Sequence, residues 1–251
     1  MDLSIVIPCY NEAESIDQLV ETLHPVIQAL RKDRSIEIVF VDDGSTDNTG
    51  DLLQARFVDD QMVRVVRHDR NRGLGAAVRT GLAAATGETI VTTDSDGTYP
   101  YKLIAPVLEL LGPGVDIVTA SCYHPQGGID NVPAYRILLS RSASLLYRVI
   151  LDRHVHTYTC LFRAYRRRVI ETVPFQSNGF LSVTELLAGA ILQGYVVREY
   201  PCVLHARRYG ASKAKVARIV LAHVRYQLRL LQIRGLGLLR PSVKHQPSRT
   251  G

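Results

Sequence analysis

Short β-branched runs alternate with amphipathic or alanine-rich segments through the first 120 residues of this 251-residue chain. No other feature restricts the fold as much, because strand, helix and strand in repetition build βαβ units on a parallel sheet. Strands are expected at Leu3–Ile7, Ile36–Val41, Val63–Val66, Thr89–Thr93 and Asp116–Ala120, with helices at roughly 13–31, 47–56, 74–85 and 101–111. Asn11 ahead of Glu14, Ser45 ahead of a polar turn and Gly73 ahead of Leu74–Ala85 mark three of the helix starts. Beyond residue 121 the pattern changes. SCYHPQGG reads as an irregular loop, Arg136–Leu151 as a helix, Thr157–Tyr165 as a strand and Arg166–Val173 as a helix. A helix at about 182–193, a strand at Tyr195–Leu204 and a last helix at about 214–234 complete the chain. The expected organisation is one α/β domain, residues 1–213, followed by a basic amphipathic helix and tail, 214–251.

The net charge of +6 conceals two unlike halves. Residues 1–130 hold 10 Lys and Arg against 20 Asp and Glu, whereas residues 131–251 hold 20 against 4. After Glu199 there are 11 basic residues and no acidic one, which points the C-terminal end at an anionic partner. Nucleic acid, a membrane surface and a phosphorylated substrate each fit that description. Hydrophobic residues at 46% and charged residues at 22% exclude disorder. No run approaches the ~18 apolar residues of a spanning helix. The N-terminus opens directly on a strand pattern instead of a signal peptide, so the chain is expected in the cytoplasm. Cys9, Cys122, Cys160 and Cys202 form no CxxC pair and read as free thiols.

Chemistry enters at the strand ends. Asp42 and Asp43 follow the run IEIVFV, and Asp94 and Asp96 follow ETIVTT. Open parallel sheets place ligands just beyond the carboxyl ends of their strands. Two carboxylates two residues apart there can hold a hard divalent cation, which neutralises a diphosphate. Asp and Gly are also ordinary turn formers, but two such clusters on one sheet favour the ligand role.

The segments IVIPCYNE at 5–12, VDDGSTD at 41–47, GLGAAVRTGL at 73–82 and DSDGTYP at 94–100 resemble the family-two inverting glycosyltransferases. YRILLSRSASLLYRVIL at 135–151, FRAYRRRVIE at 162–171 and RRYGASK at 207–213 resemble dolichol-phosphate mannose synthases and related polyprenyl-phosphate glycosyltransferases. The resemblance covers residues 3 to about 215 and implies a nucleotide-sugar-binding, GT-A-like, Rossmann-related fold: a mostly parallel sheet flanked by helices. It further implies that Pro8, Tyr10 and Glu12 contact the base and ribose of a nucleotide-sugar donor such as GDP-mannose or UDP-glucose, with Val41 and Asp43 on the base side. Asp94, Ser95 and Asp96 would bracket the diphosphate, and Asp94, Asp96 and Thr98 would hold Mg²⁺ or Mn²⁺. Arg207 and Lys213 would close over the donor phosphates, while Arg136, Ser140 and Arg163 would receive a polyprenyl-phosphate acceptor. Tyr10 also reads as a packed aromatic, Arg136 as a solvated helix face and Lys213 as a surface charge at a helix start.

A phosphate monoester is already anionic near neutral pH, with a second pKa of about 6. It can attack the anomeric carbon without a strong protein base, and in-line displacement inverts that carbon. Positioning two repelling anions and stabilising the departing diphosphate are then the main tasks. Glu185 matches an acidic position of the family and is either a base or a structural partner of Arg163 or Arg207. The chain departs from the family at Cys122, where an arginine is usual, and at Thr157, where an acidic residue is usual. The basic helices Arg136–Leu151 and Val216–Arg234 suit a peripheral contact with the cytoplasmic face of a membrane, with room for an integral-membrane partner subunit. Three other readings compete: a family-two transferase with a non-lipid acceptor, in which Glu185 serves as base; a nucleic-acid-binding protein, for which no recognisable motif is present; and a non-catalytic regulatory domain that keeps the nucleotide fold, which the intact DSD at 94–96 disfavours.

Overall fold

The structure, a computed structural model, describes residues 1–207 and 216–235. A seven-stranded sheet runs through its centre in the order β3-β2-β1-β4-β7-β5-β8. The strands are β1 (Leu3–Cys9), β2 (Ile36–Asp42), β3 (Val63–Arg67), β4 (Thr89–Thr92), β5 (Ile117–Ser121), β7 (Arg163–Arg166) and β8 (Val197–Pro201). All pair in parallel except β7, which runs antiparallel between β4 and β5. Every residue of β1, β2 and β5 is buried, as covering by helices on both faces requires.

The helices are α1 (Ile16–Leu30), α2 (Thr49–Arg56), α3 (Leu74–Ala84), α4 (Ile104–Leu110), α5 (Ala134–Ile150), α6 (Arg167–Thr172), α7 (Leu181–Leu192) and α8 (Val216–Gly235). One core cluster joins the sheet to α1, α2 and α4; a second joins its other face to α3, α5, α6, α7 and α8, through residues that include Ala77, Tyr147, Val169, Leu187 and Leu230. The expected boundary between residues 213 and 214 falls outside the described residues, and α8 beyond it packs on α5 and α7.

Three expectations change. Residues 157–162 are not strand, because Thr157 is tied sideways: its hydroxyl meets Ser121 Oγ at 2.8 Å and accepts the Tyr123 N–H, while Glu199 accepts the His156 and Thr157 N–H groups. The expected strand Tyr195–Leu204 breaks at Cys202, and its second part, β9 (Val203–His205), pairs with β6 (Gly128–Asp130), inside and just after the segment read as a loop. Asn11 and Ser45 bind each other's loops instead of capping helices: Ser45 Oγ accepts the Asn11 N–H at 2.9 Å, and Asn11 Oδ1 accepts the Thr46 N–H at 2.7 Å. The CYNE and DDGSTD segments are therefore one hydrogen-bonded unit.

The basic run Arg166–Arg168 is tied to the scaffold, with Arg166 and Arg167 half-buried and Arg168 exposed. Arg166 donates to the Leu111 and Gly112 carbonyls at the end of α4, Arg167 to the Ala85 and Gly87 carbonyls at the end of α3, and Arg168 pairs with Asp116. Cations there complement the negative helix ends.

Candidate active site

The carboxyl ends of β1, β2 and β4 open into a pocket of about 250 Å³. Pro8, Tyr10 and Glu12 line it from β1, Asp43 from β2, Asp94, Ser95 and Asp96 from β4, and Asn71, Gly73 and Leu74 from the loop entering α3. Arg136 and Arg207 face the same space.

Its charge is organised around Arg207, which pairs with Glu12 and lies 3.9 Å from Asp96. Glu12 also accepts the Ser15 hydroxyl at 3.0 Å. Asp96 Oδ1 accepts the Thr98 N–H at 3.1 Å and its hydroxyl at 2.8 Å, and the Tyr101 hydroxyl donates to the Asp94 carbonyl at 3.0 Å. Burial, reinforced by neighbouring Asp96 and Glu12 and opposed by Arg207, pushes the Asp94 carboxyl up to about 8. Of the pocket's two arginines it is Arg207 that lies against these three acids, by its contacts with Glu12 and Asp96 and its effect on Asp94.

Those carboxylates fit a Mg²⁺ or Mn²⁺ ion by chemistry, since both ions take hard oxygen donors. Among the described residues no group of three His, Cys, Asp or Glu side chains could hold a metal ion. Asp94 and Asp96 would hold such an ion as one or two carboxylates do when substrate phosphates and water complete its shell.

A second chamber of about 240 Å³ shares Asp94, Asp96, Arg136 and Arg207 with the first. Its other walls are hydroxyl-rich: Tyr123, Ser140, Thr157 and Thr159, with Ser140 and Thr159 joined at 2.7 Å. Between α5 and α8 lies a groove of about 370 Å³, lined by Leu139, Ala143, Leu146, Val216, Ile219, Val220 and Val224. Arg136 and Phe180 border all three spaces.

Residues 4–173 match the Glycosyl transferase family 2 model, which is more than half of the chain. The chain belongs to that family. This family 2 chain is 32% identical to the dolichol-phosphate mannosyltransferase of Pyrococcus furiosus, over 94% of its own length and 65% of that protein's. It is 32% identical to the polyprenol monophosphomannose synthase of Mycolicibacterium smegmatis, over 83% and 79% of the two chains. With the undecaprenyl-phosphate 4-deoxy-4-formamido-L-arabinose transferase of Pectobacterium atrosepticum it shares 29%, over 87% and 64%. It thus spans just under two thirds of the first and third of these relatives. Among solved structures, the glucosyl-3-phosphoglycerate synthase of Mycobacterium tuberculosis, in complex with Mn²⁺, UDP and glucosyl-3-phosphoglycerate, superposes with a TM-score of 0.67 at 22% identity, over 93% and 79% of the chains. That likeness shows the GT-A fold.

In this family 2 glycosyltransferase the sequence-derived site residues divide. Pro8, Tyr10, Glu12, Asp43, Asp94, Ser95, Asp96, Arg136 and Arg207 converge on the pocket. Thr98 lines the adjoining chamber and orients Asp96. Three residues fall elsewhere. Val41 is fully buried in the core, against Gly81, so its side chain does not reach the pocket. Arg163 is 0% exposed and donates to Thr119 Oγ1, the Val183 carbonyl and the Tyr158 carbonyl, which makes it a clamp between β5, the 158 loop and α7 instead of an acceptor ligand. Glu185 accepts the N–H groups of Gln176 and Ser177 at 3.0 and 2.8 Å, and lines neither pocket nor chamber. Lys213 lies outside the described residues. Asn71, Tyr101 and Phe180 were not anticipated. Phe180 is 46% exposed, and a large exposed aromatic after Asn-Gly is the one signal that could have marked it.

Proposed function

We propose that this chain transfers a sugar from a nucleotide sugar to a polyprenyl phosphate, with inversion at the anomeric carbon and with a divalent cation. The position of Arg136 carries the reading: one guanidinium borders the acidic pocket, the hydroxyl-lined chamber and the apolar groove. A phosphate held there has its reactive oxygen toward the donor and its hydrocarbon along α5 and α8. The relatives named for dolichol, polyprenol and undecaprenyl phosphates support the same acceptor class.

Asp94 and Asp96 would hold Mg²⁺ or Mn²⁺, which supplies charge neutralisation for the leaving diphosphate. The Mn²⁺ and Mg²⁺ complexes of the glucosyl-3-phosphoglycerate synthase, which shares the fold, support the use of a divalent cation. Thr98 and Tyr101 keep the acidic loop in place through Asp96 and the Asp94 carbonyl. Arg207 neutralises Glu12 and Asp96 and so lowers the repulsion that an incoming anion meets. An oxygen of the acceptor phosphate forms the new bond to the anomeric carbon while the bond to the diphosphate oxygen breaks. No base is needed for that step, and Glu185, engaged by two backbone N–H groups, is not placed to act as one. The same fact disfavours a hydroxyl acceptor.

No helix among the described residues is long and apolar enough to cross a membrane. Leu138, Leu145 and Val149 of α5 and Leu221, Val224, Leu228 and Leu231 of α8 are exposed, and neither helix contains an acidic residue. An apolar face with Arg141, Arg218, Arg225 and Arg229 exposed on the same helices suits the surface of an anionic bilayer. The decisive experiment incubates the protein with a panel of nucleotide sugars and polyprenyl phosphates, with and without Mn²⁺, and identifies the lipid product by mass. Transfer to a soluble hydroxyl acceptor, with none to any lipid phosphate, would overturn the proposal; flotation with anionic vesicles that leaves the protein unbound at low salt would overturn the membrane contact.

A further inference from the structure

The donor pocket has a second pole besides its carboxylate pair. Asp43 lines the pocket at the end of β2, and β1 separates β2 from β4. At 4.7–4.9 Å per strand that is a separation of about 10 Å, the reach of a nucleoside from its own diphosphate. With the diphosphate beside Asp94 and Asp96, the base lies at Asp43.

The hydrogen bonds of Asp43 decide what it can still accept. Its side chain is 4% exposed, and it takes the His68 Nδ1–H at 2.6 Å and the Arg72 N–H at 2.9 Å on Oδ1, and the Gly73 N–H at 2.8 Å on Oδ2. A carboxylate offers about four acceptor positions. Three are occupied, and the fourth belongs to Oδ2. His68 cannot swing away, because its Nε2 meets Thr80 Oγ1 of α3 at 2.9 Å and its side chain is only 5% exposed.

We infer that buried His68 reserves one oxygen of Asp43 and thereby selects a donor base with a single imide N–H, the uracil of a uridine diphosphate sugar, over guanine. This rests on the nucleotide-sugar reading above. Uracil presents one N–H between two carbonyls. Its N–H meets Oδ2, and the carboxamide of Asn71, which lines the same pocket, can donate to a flanking carbonyl. Guanine presents two adjacent N–H donors, N1–H and the exocyclic amine, that together require both carboxylate oxygens. With Oδ1 taken, one of them is buried unpaired. Cytosine and adenine offer an exocyclic amine to Oδ2 but set a ring nitrogen lone pair beside the carboxylate, which offsets that bond.

The test is calorimetric binding of UDP, GDP, CDP and ADP with Mn²⁺ to the wild-type chain, His68→Asn and His68→Leu, with thermal unfolding in the same buffer. A buried unpaired donor costs about 1–3 kcal/mol, so UDP should bind roughly ten- to a hundredfold more tightly than GDP, with CDP and ADP no better than GDP. His68→Asn keeps an N–H toward Oδ1 and should keep the ranking. His68→Leu frees one acceptor position on Oδ1, the other staying with the Arg72 N–H, and the UDP to GDP ratio should fall toward unity through a gain for GDP; if this variant does not fold, the wild-type ranking and His68→Asn decide. Equal or tighter binding of GDP by the wild type, or a folded His68→Leu that keeps the full ratio, overturns the inference alone. Failure of all four diphosphates to bind overturns the nucleotide-sugar reading beneath it.

Discussion

Gly44 and Gly97 occupy nearly the same left-handed conformation, φ +66° and φ +70°, in surroundings that differ completely. A Cβ at Gly44 would collide with the backbone of Arg70 and Asn71, whereas a Cβ at Gly97 would meet nothing within 4 Å. Replacing each by alanine therefore separates conformational cost from steric cost. The left-handed backbone costs an alanine about 1 kcal/mol at both sites. At Gly44 the overlap adds about 1–3 kcal/mol, because the obstacle is main chain and cannot rotate away. At roughly 2–4 °C per kcal/mol for a domain of this size, Gly97→Ala should lower the melting temperature by about 2–4 °C and Gly44→Ala by about 5–15 °C. The pushed segment also carries Asn71 and the N–H groups that hold Asp43, so Gly44→Ala should raise the donor KM while Gly97→Ala leaves it near wild type. Differential scanning calorimetry and donor titration read both effects. Equal melting shifts, or a larger one at Gly97, would refute the reasoning.

Three further outcomes are expected. The Asp94 carboxyl, raised to about 8, holds a proton in the fold that the unfolded chain releases near 3.8. The stability it contributes is fully present below the ordinary carboxylate pKa and declines as pH rises toward 8; Mn²⁺ binding at pH 7 should release about one proton, measured by calorimetry in buffers of unlike ionisation heat, and no release would contradict the assignment. His223, on the buried face of α8 with Nδ1 at 3.0 Å from the Tyr147 hydroxyl, is pushed down to about 4 by burial. Its contribution is intact above about pH 6.5 and lost as pH falls toward 4, about 3 kcal/mol in all, so acid should loosen α8 in hydrogen exchange and His223→Gln should flatten that dependence. Glu185→Gln retains an oxygen for the Gln176 and Ser177 N–H groups and should keep turnover within a few-fold, whereas a general base would cost roughly a hundredfold or more.

The sheet was legible because its strands are covered on both faces and read as unbroken apolar runs, LSIVIP and IEIVFV among them. The acidic pole was legible because the carboxylates follow directly on such runs. Arg163 and Glu185 were not, since what a guanidinium or carboxylate does depends on partners from distant segments: Val183 and Thr119 for one, the 176–177 backbone for the other. Arg166 to Arg168 count toward the basic C-terminal half, yet they end on helix carbonyls and Asp116, so part of that charge excess is engaged by contacts within the fold. Strands β6 and β9, with three residues each, are too short to show a period.

The reversed direction of β7 reaches beyond packing. Because it opposes its neighbours, its beginning, and not its end, arrives at the ligand edge, bringing residues 157–162 beside the end of β5. Under the proposed function, strands β1 to β4 would serve the donor, and the β7–β5 side together with α5 the acceptor. The two substrates would then draw largely on separate stretches of chain, divided near residue 115, and meet at shared residues such as Asp96, Arg136 and Arg207. On that division, lengthening the 122–133 loop or exchanging the 157–162 segment would change the acceptor side while leaving most of the donor apparatus as it is.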